Sequence, residues 1–194
     1  MRFVTVSLTV IFVMAFSFLG HSDELDGLVD SDLTFATKRN RVLSTVNFFF
    51  LKGTAEKKKA SYSNVYAGDE FYIKVTNSPT GYVYVFYVDT NNKLYPFYRS
   101  KDSEVEYSSD QSSFDRSKGK ETFYVIVSEA PLAGLSKIFS SLSEDGESIS
   151  SRRKEYNTIL KYHKAAKKRI IRKRPDGTLV FKDIMSVKVQ FNHK

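Results

Sequence analysis

Cysteine is absent from this chain. Without thiols there are no disulfides, no thiolate metal sites, no thiol catalysis and no N-terminal lipoprotein modification. Stability must therefore come from a packed core, for which 194 residues suffice. An exported domain of this kind fits a bacterial envelope better than a eukaryotic secreted scaffold, where small domains are usually disulfide-dense. Tryptophan is absent too, and aromaticity rests on 12 Tyr and 16 Phe. Most lie in short β-like runs, which favours sheet over helix bundle. Histidine is scarce: beyond the first 22 residues only His163 and His193 occur. The first falls inside a basic helix, where a half-buried packing role is expected. The second is penultimate, on an end expected to fray. No spacing of His, Cys or Glu completes a zinc site around either one. No metal or cofactor is expected.

The chemistry of catalysis is similarly thin. There is no nucleophile elbow, no phosphate loop and no dinucleotide fingerprint. Ser117 with Lys120 and Ser151 with Lys154 reproduce a Ser-x-x-Lys spacing, but the elements that accompany it in serine acyltransferases are missing. Neighbouring carboxylates such as Asp69 with Glu70, or Glu104 with Glu106, lie in expected turns and loops without partners. Asp26, Asp30 and Asp32 do not follow the EF-hand spacing. The expectation is a protein without a catalytic centre, and an unrecognised hydrolase is the residual alternative.

What is present begins with a long uncharged run. Arg2 precedes an uncharged stretch from Phe3 to Gly20, and Gly20-His21-Ser22 places small residues at the −3 and −1 positions before Asp23. This is the layout of a signal peptide over residues 1–22, with an uncleaved anchor as its rival. Either way the remainder is expected outside the cytoplasm, in the periplasm or beyond, and no other segment has the length and hydropathy to cross a bilayer. Residues 23–40 form an acidic lead-in.

Hydrophobic residues at 41% and charged residues at 27% describe an ordinary globular chain. From Arg41 to Leu51 the sequence reads as a first strand, and Lys57-Lys58-Lys59 as part of a polar loop. Phe71, Ile73 and Val75 alternate with Tyr72, Lys74 and Thr76 in a half-buried strand. A turn is expected over Asn77 to Gly81. Tyr82 to Asp89 is apolar on both faces, the mark of a strand covered on both sides. A hairpin through Thr90-Asn91-Asn92 leads to Lys93–Tyr98. Residues 99–120 read as a long polar loop, and Thr122–Val127 as another strong strand. Helical spacing covers Pro131–Leu142, Ser143–Ser148 reads as a linker-like turn, and a basic helix spans 152–172. The chain closes in a β pattern in which Val187, Val189 and Phe191 alternate with Lys188 and Gln190. The expected fold is mainly β and β-sandwich-like, one domain over 41–194 with two flanking α-helices.

Between residues 66 and 131 the succession is distinctive: Gly68-Asp69, then Gly81-Tyr82-Val83-Tyr84-Val85-Phe86, then Leu94-Tyr95-Pro96, then Gly119-Lys120-Glu121 leading to Phe123–Ser128 and Pro131. In order and spacing it resembles a bacterial domain-of-unknown-function family of exported β-rich modules, also found appended to caspase-like peptidases and protein kinases. The resemblance implies a β-sandwich-like accessory or recognition module and transfers no active site. Physically these positions read as scaffold. Gly68 and Gly81 suit turns with positive φ. Asp69 suits a side-chain cap, and Pro96 a strand end or edge.

The net charge of +8 is concentrated. Arg152 to Arg174 holds eleven Lys/Arg and one acid, Glu155. A stripe of Tyr156, Ile159, Leu160, His163 and Ile170 can dock this helix on a sheet. That leaves Lys161, Lys164, Lys168, Arg169 and Arg172 facing solvent. Such a surface attracts phosphate-bearing polymers; outside the cytoplasm these are lipid headgroups or anionic envelope polymers rather than nucleic acid. The expected role is a recognition or assembly module that engages an envelope protein partner, with an anionic polymer or lipid surface as the alternative ligand.

Overall fold

The computed structural model describes residues 41–52, 55–59, 61–175 and 179–194. The expected signal peptide (1–22) and acidic lead-in (23–40) lie outside the described residues. Among those described, no helix is long and apolar enough to cross a membrane.

The organising element is β4 (Glu70–Val88), a strand of 19 residues. Its first half pairs antiparallel with β1 (Arg41–Lys52), from Leu51↔Glu70 to Leu43↔Ser78. Its second half pairs with β8 (Gly119–Ser128), from Tyr82↔Ser128 to Val88↔Thr122. One strand thus serves two sheets, and the turn expected over 77–81 is instead the crossing point between them. Gly81 shows why the chain can cross there. A Cβ on it would stand 2.8 Å from Val127 Cγ1, so the glycine is required by close packing. The positive φ expected there is found at Gly68 (+81°) and not at Gly81. Beside the crossing, buried Asn77 accepts a hydrogen bond from Ser44 Oγ (2.8 Å).

The first sheet extends from β1 to β11 (Leu179–Lys182) and β10 (Ile170–Lys173). β2 (Ala55–Lys58) pairs with the far end of β1. The lysine run expected in a loop therefore begins in a strand, with Lys58 and Lys59 Nζ over the rings of Phe49 and Phe50 at 5.3 and 4.2 Å. On its other edge β4 carries β6 (Glu104–Ser108) and β7 (Ser112–Ser113). This corrects the loop expected over 99–120. Tyr107 and Phe114 are the reason, because each supplies a buried aromatic anchor to an otherwise polar run. Tyr107 stacks on Tyr98 at 3.5 Å and Phe114 on Phe71 at 4.6 Å between ring centroids.

The second sheet runs β5 (Lys93–Arg99), β4, β8, β12 (Ile184–His193) and β3 (Asn64–Val65). β9 (Glu147–Ser148) pairs with β5 inside the stretch expected as a linker. Pro96 lies where the β4–β5 register shifts: Val85 faces Tyr98 and Phe86 faces Pro96, leaving Phe97 extra. A bulge is one of the few places where a strand tolerates a residue without an N–H. Asp69 Oδ2 accepts from Tyr66 N (3.2 Å) and from Lys59 Nζ (3.0 Å), closing the turn that contains Gly68.

The apolar alternation sorts into two cores. Phe48, Phe50, Phe71, Ile73, Val75, Val83, Val85, Phe123, Val125, Val127 and Phe191 fill the space between the sheets. Tyr84, Phe86, Tyr124, Ile126 and Ile184 point the other way, where two helices cover them. These are α1 (Ala133–Ser141) and α2 (Arg153–Lys167). Both faces of the second sheet are buried, which is why Tyr82–Val88 lacks a polar side. The buried hydroxyl of Tyr84 accepts from Leu132 N (2.8 Å) at the start of α1. The protein is mainly β, a single two-sheet domain with two helices on one outer face.

The basic helix is shorter than the expected span of 152–172. It ends at Lys167, and Ile170–Lys173 forms β10 against β11, with Arg172 opposite Val180. The β-branched pair Ile170-Ile171 with a strand partner across the following turn favours extension over another helical turn.

Candidate functional site

α2 buries Ile159, Tyr162, His163 and Ala166 against β8 and β12, with Tyr156 and Leu160 half-buried. Lys154, Lys161, Lys164 and Lys168 recur at spacings of seven, three and four residues, which places them on the opposite side of the helix. All four are exposed, as are Arg153 and Lys167. A shallow depression of about 500 Å³ runs along this side, lined by Arg153, Lys154, Asn157, Thr158 and Lys161. The single acid of the helix, Glu155, lies 3.8 Å from Arg152. Among the described residues no ion pair involves Lys154, Lys161, Lys164, Lys167 or Lys168.

The other two residues expected on this surface differ. Arg169 donates to Asp183 Oδ2 (2.9 Å), a carboxylate at the buried junction of β11 and β12. It ties the end of the helix region to the sheet and is not a free cation. Arg172 sits in β10; its side chain lies outside the described residues. His163 is buried, with Nδ1 2.8 Å from Ser186 Oγ and its ring edge-on to Tyr124. Burial, reinforced by Lys167 and Lys188, lowers its pKa to about 4.

A second polar constellation has no counterpart in the sequence reading. The inward-facing columns of three strands end in polar residues at one end of the sandwich: Val83-Val85-Tyr87 leads to Asp89, Val125-Phe123 to Glu121, and Val189-Phe191 to His193. Glu121 and His193 are 1% and 4% exposed, so the expectation of a frayed C-terminal end is corrected. β3 pairs alongside β12 there, and Phe114 packs on the imidazole at 5.6 Å. His193 Nδ1 lies 3.1 Å from Glu121 Oε1, while Tyr87 donates its hydroxyl to Glu121 Oε2 (2.6 Å). Burial drives the Glu121 carboxyl above its usual range, against the opposing pull of Tyr87 and His193. Asp89 accepts from Asn91 N, Lys93 N and the Tyr95 hydroxyl. Burial and that bond to Asp89 push Tyr95 up to about 12. Asp115 is exposed at the mouth of this end and accepts from Ser117 N (2.6 Å) and Ser117 Oγ (3.1 Å). The period-2 pattern, continued two residues beyond Phe191, was the available signal for an inward His193.

The Ser-x-x-Lys pairs are explained locally. Ser117 Oγ bonds Asp115, and Ser151 Oγ donates to the Ser148 carbonyl (2.8 Å). The neighbouring acids are engaged singly: Asp69 with Lys59, Glu70 with Gln111, and Glu106 with Lys74. An open cleft of about 760 Å³ lies between β5 and α1, lined by Tyr87, Tyr95 to Arg99, Phe139, Ser140, Leu142 and Glu144. Arg99 sits over the Phe139 ring at 5.5 Å and donates to the Ser136 carbonyl at 3.3 Å. No family model, curated protein or solved structure matches the chain.

Proposed function

We propose that this protein is an exported, non-catalytic binding module that engages phosphate-bearing envelope surfaces through the lysine side of α2. The observation that carries this reading is the row Lys154, Lys161, Lys164 and Lys168, exposed and, among the described residues, without carboxylate partners on the face opposite the docked stripe. Like charges collected on one rigid element are unfavourable unless an anion neutralises them, and phosphate groups arrayed on a surface do so several at a time. The signal-peptide layout of residues 1–22 and the resemblance of residues 66–131 to exported modules support placing this surface outside the cytoplasm. A protein partner in the envelope is the competing ligand.

Sedimentation with anionic and neutral vesicles over a salt series tests the proposal. The expected result is salt-sensitive binding to anionic vesicles only. It should fall by about tenfold or more when Lys154, Lys161, Lys164 and Lys168 are all replaced by Gln, since each surface lysine contributes about 1 kcal/mol. Competition by soluble polyphosphate separates recognition of the phosphate group from a requirement for the lipid surface. Binding that is indifferent to salt and to the four substitutions overturns the assignment.

A further inference from the structure

We propose that Asp115, Glu121 and His193 hold one divalent first-row transition-metal ion, such as Zn²⁺, at the buried end of the sandwich. One ligand atom from each of the three lies within 4.8 Å of the others. Metal–ligand bonds of about 2.0–2.2 Å require such atoms to approach within about 3–4 Å of one another. Glu121 and His193 already meet that distance at 3.1 Å. The remaining closure falls on Asp115, which is exposed and can move.

Two further observations point to a cation. First, His193 Nδ1 and Glu121 Oε1 are both buried and face each other at 3.1 Å. With Nδ1 deprotonated and the carboxyl ionised two lone pairs meet there, and an ion between them satisfies both. Secondly, Asp89, Asp115 and Glu121 converge at this end, and among the described residues no Lys or Arg pairs with any of them. Asp89 is already occupied by two backbone N–H groups and a tyrosine hydroxyl, whereas Glu121 Oε1 faces only His193 and Asp115 is tied only to the exposed turn at Ser117. A mixed imidazole and carboxylate set without thiolate suits Zn²⁺ or Mn²⁺ rather than a soft ion. The exposed Asp115 supplies the entry side.

The purified, tag-free chain is stripped with a chelator and titrated calorimetrically with Zn²⁺, with Ca²⁺ as the comparison ion. One equivalent of Zn²⁺ is expected to bind and to raise the thermal midpoint. Asp115→Asn, a surface change that leaves the core intact, should weaken binding by about tenfold or more and abolish the thermal shift. His193 is too deeply packed for its replacement to be a clean test. Its ring nitrogens are followed instead by NMR in the wild-type chain, where Zn²⁺ should move His193 and leave His163 in place. Absence of stoichiometric binding, binding that survives Asp115→Asn, or shifts confined to other histidines would each overturn the proposal.

Discussion

At His163 a single imidazole couples the packing of α2 to pH. Its nitrogen faces Ser186 and its ring faces Tyr124, and its pKa near 4 lies below the ordinary value of 6.5. Folding therefore holds the ring neutral, whereas the unfolded chain takes up a proton below its ordinary pKa. The stability contributed is complete above about pH 6.5 and is lost as the pH falls toward about 4, by at most about 3 kcal/mol. His163→Gln removes this titration while keeping an acceptor for Ser186. Urea unfolding at about pH 7 and about pH 4.5 should show the wild-type chain losing more stability than the variant. Equal losses in the two proteins would mean that other groups dominate the acid limb. His193 makes the complementary point, since the same residue type is inward because of its place in a strand and not because of any local motif.

At the level of elements, α2 and the turn that follows it carry two kinds of basic residue that the sequence presents alike. Lys161, Lys164 and Lys168 project to solvent, whereas Arg169 belongs to the joint between helix and sheet through Asp183. Arg169→Gln leaves a buried carboxylate without its partner and is expected to destabilise the fold by about 1–3 kcal/mol. Vesicle binding, referred to the folded fraction, should stay unchanged. A variant that binds less while melting normally would return Arg169 to the ligand surface. The end of this helix also shows how tertiary pairing overrides helical charge and spacing. Beyond Lys167 the chain gains a ladder with β11, and the two isoleucines favour that extended form.

For the molecule as a whole, β4 is the feature with the widest consequence. Because one continuous strand pairs into both sheets, neither sheet can lose its central ladder alone. Phe123 adds side-chain continuity, with its ring centroid 5.1 Å from Phe48, 5.5 Å from Phe71, 4.7 Å from Tyr87 and 5.6 Å from Phe97. Unfolding is expected to be one cooperative transition, seen alike by far-UV circular dichroism and by the near-UV tyrosine signal. Phe123→Ala should lower stability by about 3–5 kcal/mol and move both signals together. Separate midpoints for the two probes would show that the sheets melt independently.

Strand alternation, two helices and a doubly covered strand at Tyr82–Val88 were determined by the sequence itself, because hydrophobic period and burial are local consequences of residue order. Exposure of Lys161, Lys164 and Lys168 was legible for the same reason, whereas the pairing of Arg169 with Asp183 was not. Three things waited on the tertiary structure. Asn77–Gly81 has turn composition, and only the second sheet approaching at Val127 makes it a crossing inside a strand. Residues 99–120 have loop composition, and only the open edge of β4 with aromatic pockets for Tyr107 and Phe114 converts part of them to strands. Asp115 and Glu121 are six residues apart, but His193 lies 72 residues beyond Glu121 along the chain. The β8–β12 register and the docking of the segment after β7 bring their polar atoms together. Such convergence depends on strand order and register, which are properties of long-range pairing that no local pattern of residues contains.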